Sequence, residues 1–251
     1  MRHSNKTIKE VIRLTREKHS LNQISEELNI PKSTAYYHFR KIRGKTFKQA
    51  KIGFASKKEE GEALGIFAGD GSLCFVPKRH YYFIRIHLGK EDYAKKVCEK
   101  YSKCFQKKFR IAREGNRRIV CTYSKKIYQY FLSKLDFEPK NKAAQICLKE
   151  YPRDNSFKKG FLSGLLDTDG TITRNAIAYY TISKRLADQA SQMLFELCIQ
   201  NSIYKGKKRP GANYPLYTIK ILSGSRSEFI KKISSHKVKR LMEQNGLVDQ
   251  R

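Results

Sequence analysis

The sequence predicts an α+β protein. It is expected to hold two pseudo-symmetric αββαββα units preceded by a small all-α unit. Three observations carry this. One ten-residue stretch occurs twice, as Ala63-Leu64-Gly65-Ile66-Phe67-Ala68-Gly69-Asp70-Gly71-Ser72 and as Leu162-Ser163-Gly164-Leu165-Leu166-Asp167-Thr168-Asp169-Gly170-Thr171. The closing acidic residues, Asp70 and Asp169, stand 99 residues apart, and the same order of helical and alternating patterns follows each copy. The first 44 residues, by contrast, show helical spacing alone. The expected division is 1–44, a basic linker at 45–58, and repeat units at 59–151 and 152–251.

A chain of 251 residues with 39% hydrophobic content can bury a sizeable core, or two small ones and an appendage. No run of about 18 apolar residues occurs, so no membrane span is expected. The first residues are polar and basic, without an apolar signal core. Six cysteines, none in a Cys-x-x-Cys pair, fit small packed side chains in a reducing compartment. The formal net charge is +30. Residues 1–60 carry 15 Lys or Arg against 6 Asp or Glu, and the rest carry 38 against 17, so both parts are basic. Such an excess repels itself, and a bound polyanion such as nucleic acid neutralises it.

The N-terminal unit reads as three helices. Residues 7–18 place Ile8, Val11, Ile12 and Leu14 as apolar contacts. Ser20-Leu21-Asn22-Gln23 has the form of a capping box, with a serine cap and glutamine three residues later. Leu21, Ile24 and Leu28 then recur at helical spacing until Pro31. The third helix is expected from Lys32 or Ser33 to Ile42, with Ala35, Phe39 and Ile42 inward. Two short helices joined by a tight turn, the second one basic, form a helix-turn-helix pattern. Its outer face would present Lys32, Ser33, Thr34, Tyr36, Tyr37 and Arg40, residue types that meet phosphates and base edges.

In the first repeat, small residues four apart (Gly65, Gly69) lie on one helix face and allow close approach to a second helix. Strands are expected at 72–76 and 81–88, turning near Pro77-Lys78-Arg79. On the second strand Tyr82, Ile84, Ile86 and Leu88 alternate with Phe83, Arg85 and His87, so Arg85 and His87 are candidates for a groove-facing surface. A helix at 91–103, strands at 105–113 and 116–122, and a helix at 124–135 follow. A further helix from Lys142 to about residue 150 would join the halves. The second repeat gives the same order. Its motif helix is at 160–168 with Gly164 and Thr168 on one face, strands at 171–173 and 177–182, a helix at 183–199, strands at 202–207 and 214–222, and a helix at 225–233. Two motif helices packed together would bring Asp70 and Asp169 to one place. Two carboxylates at close range repel unless a cation lies between them, and an all-oxygen donor set favours a hard ion such as Mg2+, with Mn2+ as substitute. The backbone carbonyls of Gly69 and Thr168 are the expected further donors.

The duplicated motif resembles the LAGLIDADG homing endonuclease family in its single-chain form with two motifs. The resemblance covers residues 58–251, with Ala68 standing where the family name has its first aspartate. The N-terminal unit resembles helix-turn-helix units attached to some archaeal and bacterial proteins of this type, which implies a cytoplasmic or nucleoid-associated setting in a prokaryotic cell, with organellar encoding as the alternative. The resemblance implies a concave saddle of two sheets, a metal-dependent double-strand break in DNA with short 3′ overhangs, and catalysis by Asp70 and Asp169. It also implies a basic residue beside each carboxylate. Lys140 aligns best in the first half, with Lys142 second, and Lys237 in the second half, with Lys239 second. Asp167 is expected to make a helix-end hydrogen bond rather than to hold metal, and His236 to be a structural or phosphate contact. A single chain with two half-saddles implies a monomer on one asymmetric double-stranded DNA site. Two alternatives remain, a DNA-binding regulator of this fold without the chemistry, and an intron maturase that binds RNA. The helix-turn-helix favours duplex DNA, because A-form RNA hides its major groove.

Overall fold

The computed structural model describes residues 5–43, 50–77, 81–208 and 210–244. The chain divides into two compact units, Met1–Gln49 and Ala50–Arg251.

In the first unit, helices α1 (Asn5–Arg16), α2 (Leu21–Glu27) and α3 (Lys32–Arg43) enclose Val11, Leu14, Ile24, Ala35 and Phe39. The capping box is formed. Gln23 N–H donates to Ser20 Oγ at 3.3 Å, and Ser20 N–H donates to Gln23 Oε1 at 2.8 Å. Asn29 reverses the chain between α2 and α3 with φ +46°, a conformation that asparagine tolerates better than most residues. Ile42 was expected inside but is 38% exposed, in the last turn of α3, and takes no part in the cluster around Phe39.

The second unit repeats one order twice. The first half is α4 (Lys57–Asp70), β1 (Gly71–Val76), β2 (Tyr81–Leu88), α5 (Glu91–Cys104), β3 (Arg110–Glu114), β4 (Arg117–Tyr123) and α6 (Lys125–Lys134). A short connection of β5 (Leu135–Asp136), α7 (Lys142–Gln145) and β6 (Cys147–Leu148) leads on. The second half is α8 (Asn155–Asp169), β7 (Gly170–Ile172), β8 (Ile177–Thr181), α9 (Lys184–Glu196), β9 (Asn201–Lys205), β10 (Tyr217–Ile221) and α10 (Arg226–Lys232), and α11 (His236–Gln244) closes the described chain. Each half makes a four-stranded antiparallel sheet, ordered β1-β2-β4-β3 and β7-β8-β10-β9. The matched orders are the pseudo-symmetric saddle that the sequence predicts. Ile84, Ile86 and Leu88 of β2 face the core while Phe83, Arg85 and His87 occupy the other face, as the alternation requires.

Four local expectations are corrected. The linker does not run to residue 58. Ala50 is buried in the second unit's core, Gly53 N–H bonds the Cys104 carbonyl at 2.8 Å, and Ser56 caps α4, which holds Lys57 and Lys58. Its first part, 45–49, lies outside the described residues, as do Lys78 and Arg79 of the expected hairpin turn. The strand expected from Phe105 begins at Arg110. Phe105 caps α5, Gln106 turns the chain with φ +41°, and Phe105 and Phe109 both enter the core around Tyr101. The connecting helix is only four residues long, because Cys147 and Leu148 leave it to pair with Leu135 and Asp136. Lys237 and Lys239, expected only as basic residues after the last helix, lie in a further helix, α11.

Candidate active site at the ends of the paired helices

Helices α4 and α8 pack backbone to backbone. A Cβ on Gly65 would land on the Phe161 carbonyl and 2.9 Å from Leu165 N, and one on Gly164 would land on the Glu62 carbonyl and 2.7 Å from Ile66 N. The stripe runs one turn further than expected. Gly61 lies against Phe157 and Phe161, and Gly160 lies against Lys58 and Glu62. Both extra glycines sit four residues before the expected pair, so continuing the period would have found them. At the far end Gly69 lies against Thr168, whose Oγ1 turns back to the Gly164 and Leu165 carbonyls.

This closeness delivers the last residue of each helix, Asp70 and Asp169, to one half-buried place. The Asp169 Oδ2 atom is 3.1 Å from where a Gly69 Cβ would be. Burial pushes the Asp70 carboxyl up to about 7, the Asp169 charge pushes it the same way, and Lys142, Lys237 and Arg117 oppose the rise. Asp169 is also raised by burial, against the pull of Lys142 and Lys237.

The two ammonium groups come from the segments after each half. Lys237 Nζ donates to the Leu166 and Gly170 carbonyls at 2.9 and 2.6 Å and lies 3.5 Å from the Thr168 carbonyl. In the first half the lysine beside the carboxylates is Lys142, not Lys140. Lys142 Nζ donates to the Gly69 carbonyl at 2.7 Å and sits 5.5 Å from the centre of the Phe67 ring, and burial lowers it to about 8 against the pull of both aspartates. Lys140 is exposed in the turn that Asn141 N–H closes on the Glu138 carbonyl, before α7 aims Lys142 inward. Lys239 is exposed on α11. Thus the carbonyls of Gly69 and Thr168, expected as metal donors, each lie within reach of a lysine ammonium group.

The Asp167 carboxylate accepts the His236 and Lys237 backbone N–H groups, each at 2.9 Å. The His236 ring stacks on Tyr93 of the other half at 5.0 Å and meets Lys96 Nζ at 3.3 Å. Next to the site, Ser72 and His87 share a 3.1 Å hydrogen bond, and Arg85 lies over the Phe83 ring at 5.3 Å. In the N-terminal unit, Lys32, Ser33, Tyr37 and Arg40 are exposed on α3, and Thr34 and Tyr36 are half-buried. Tyr37 is 60% exposed, with Lys41 Nζ 4.7 Å from its ring centre.

A model of the LAGLIDADG-like domain matches residues 156–242. The solved structure of I-DmoI with DNA and Ca superposes with a TM-score of 0.62 at 21% identity, over 74% of this chain and 98% of that one. The chain has a LAGLIDADG-like fold. The I-DmoI structure with DNA and Mn gives the same picture, with a TM-score of 0.59 at 22% identity over 72% and 98% of the two chains. Full-length DUF199/WhiA from Thermatoga maritima superposes less well, with a TM-score of 0.50 at 12% identity over 78% of this chain and 62% of that one. Among curated proteins, the uncharacterized protein MJ0398 of Methanocaldococcus jannaschii is 26% identical over 210 residues, 78% of this chain and 72% of its own. No described helix is long and apolar enough to cross a membrane.

Among the described residues no three His, Cys, Asp or Glu side chains cluster around a cation site. Among the described residues, Asp70 and Asp169 are the acidic side chains that meet here. That donor set suits Mg2+, which takes one or two carboxylates and completes its shell with water and substrate phosphate. The two repelling carboxyls are the feature a cation would relieve.

This gives a stability test. In the absence of divalent ions, an Asp70 carboxyl raised from 3.8 to about 7 favours the folded state fully below pH 3.8, and that contribution is lost as pH rises through 7. Asp70→Asn removes the loss. Its melting temperature in EDTA should match wild type at pH 4 and exceed it at pH 8, where the variant is more stable by at most about 4 kcal/mol, the free energy of a shift of ~3 units. Added Mg2+ should raise the wild-type value at pH 8 and leave the variant where it is. Equal melting of the two proteins in EDTA at pH 8 would contradict the charge repulsion.

Proposed function

We propose that the chain is a site-specific DNA endonuclease that makes a divalent-metal-dependent double-strand break. The observation that carries this is the carboxylate pair, one member from each motif helix, with one lysine at each side, in a saddle of strongly basic protein. The metal would be held by Asp70 and Asp169, with the Gly69 and Thr168 carbonyls as further oxygen donors. A bound Mg2+ or Mn2+ supplies charge neutralisation and lowers the pKa of a coordinated water. The chain's own residues do the rest. Lys142 and Lys237, fixed on backbone carbonyls, place positive charge where negative charge grows on the cleaved phosphate. Lys140, which the resemblance places in that role, is instead exposed in the turn before α7. Arg85 and His87 sit on the sheet face that would lie along the DNA. The relatives solved with DNA support duplex DNA as partner.

One chain supplies both half-saddles, so a monomer on one asymmetric duplex is expected. The helix-turn-helix unit adds a second binding surface through Lys32, Ser33, Thr34, Tyr36, Tyr37 and Arg40. The test is to incubate the protein with a randomised duplex library in Mg2+ and sequence the new ends, with sedimentation of the selected complex. Breaks on both strands at one sequence, with one chain per duplex, are expected. Binding to a defined duplex without a cut in Mg2+ or Mn2+ would replace the enzyme by a DNA-binding regulator. Preferential retention of RNA over that duplex would favour the maturase.

Binding should also depend steeply on salt. In the full chain, Lys32→Ala with Arg40→Ala should flatten the slope of log affinity against log salt by roughly 1 to 2, since each lost phosphate contact removes about 0.9. An unchanged slope would mean that α3 does not touch the phosphate backbone.

A further inference from the structure

Asp167 is acidic, buried and next to the reacting centre, yet cleavage by Asp70 and Asp169 does not use it. Its place in the first motif is held by Ala68. The Asp167 carboxylate accepts one backbone N–H from each of the first two residues of α11, His236 at 2.9 Å and Lys237 at 2.9 Å. A carboxylate at a helix start binds by charge-assisted hydrogen bonds and complements the helix dipole. The segment before α11 is also tied to α8, since Ser163 Oγ donates to the Ser234 carbonyl at 2.8 Å. The start of α11 is therefore locked to the last turns of α8, and Lys237 Nζ is delivered to the Leu166, Thr168 and Gly170 carbonyls.

Among the described residues no carboxylate binds the start of α7 in the first half; that segment is held by Glu138 N–H donating to Gln145 Oε1 at 3.0 Å and by Asn141 Nδ2 donating to the Tyr214 hydroxyl at 3.3 Å. Lys142 begins a four-residue helix whose cap, Asn141, makes no side-chain cap hydrogen bond. Its ammonium group holds one carbonyl, Gly69, and leans on the Phe67 ring. The two lysines occupy matching places and are held by different means.

We infer that Asp167 is a positioning residue that fixes Lys237 in its half of the site and leaves the other half independent of it. Cleavage of one DNA strand then depends on Asp167 and cleavage of the other does not. This rests on the cleavage reading above. Misplacing a group by about 1 Å at a reacting centre costs on the order of 100-fold in rate.

The test follows each strand separately. A duplex bearing the bound site, labelled on both strands, is cut in Mg2+ under single-turnover conditions by wild type, Asp167→Ala and Asp167→Asn. Asp167→Ala is expected to slow one strand roughly 10- to 100-fold, so that nicked duplex accumulates, while the other strand stays within about twofold. Asp167→Asn keeps a side-chain oxygen that accepts an N–H, and it should recover most of that rate. Amide exchange at His236 and Lys237 should quicken in the alanine variant and less so in the asparagine variant. Should the alanine variant fail to fold, a smaller slowing of the same single strand by Asp167→Asn is the expected result. A purely structural role would slow both strands alike. Equal slowing of both strands, or of neither, in variants that bind DNA as wild type does, overturns the inference. A wild type that cuts neither strand overturns the cleavage reading and this inference with it.

Discussion

Asp70→Asn and Asp169→Asn are each expected to lower double-strand cleavage in Mg2+ about a thousandfold while duplex binding stays level or tightens. Asparagine keeps the shape of the side chain and removes the charge that would hold the cation. Loss of a charged ligand from a metal-supported transition state costs several kcal/mol, and about 1.4 kcal/mol is a factor of ten in rate. The same change removes a negative charge that faces the DNA backbone, so affinity has no reason to fall. Asp167→Asn should cost far less, because its carboxylate is spent on the backbone of α11 and the first half manages with Ala68. Single-turnover cleavage beside a gel shift on the same duplex checks this. Wild-type rates for both Asp70→Asn and Asp169→Asn would place the chemistry elsewhere.

The second large effect is on stability. Gly160→Ala and Gly65→Ala should each destabilise the protein by about 3 kcal/mol or more, the upper range for overpacking. In a chain of this size that corresponds to a fall of roughly 6–12 °C in melting temperature. The sign is the diagnostic part. In an ordinary helix interior, glycine to alanine is stabilising by about 1 kcal/mol. Here a Gly160 Cβ would meet the Lys58 carbonyl and, at 2.9 Å, the Glu62 nitrogen, and backbone has no rotamer by which to withdraw. Gly89→Ala is the control, since no atom lies within 4 Å of its added Cβ, and it should change the melting point little. Thermal melts of the three variants decide it. Stabilisation by Gly160→Ala would mean that α4 and α8 do not pack as described. Any substitution that parts these helices should also cost cleavage, because the same contact sets the spacing of Asp70 and Asp169.

Local patterns were legible in the sequence and distant ones were not. The glycine period, the Ser20 capping box and the alternation along β2 are each written in residues that lie close together in the chain. Each is formed as written. Lys142 was harder, because its approach depends on how Phe137 to Asn141 turn, and a shift of two residues decides which lysine faces inward. Phe105 and Phe109 look like the start of a strand. Their spacing instead serves the core around Tyr101, after Gln106 has bent the chain. The role of Asp167 was legible only as a helix-end hydrogen bond, since its partners lie about 70 residues further on. Helix α11 was missed because its apolar side is thin, with Val238 its only buried residue.

Locating the cation decides whether the paired carboxylates are the reacting centre. Fe2+ in place of Mg2+, with ascorbate and peroxide, generates radicals that cut the polypeptide close to the bound ion. In the duplex complex, scission is expected beside Asp70 and Asp169 alone, suppressed by excess Mg2+ and lost in the Asp70→Asn, Asp169→Asn double variant. Fragments that map elsewhere, or that persist unchanged in the double variant, would show that the two motif helices do not converge on a metal.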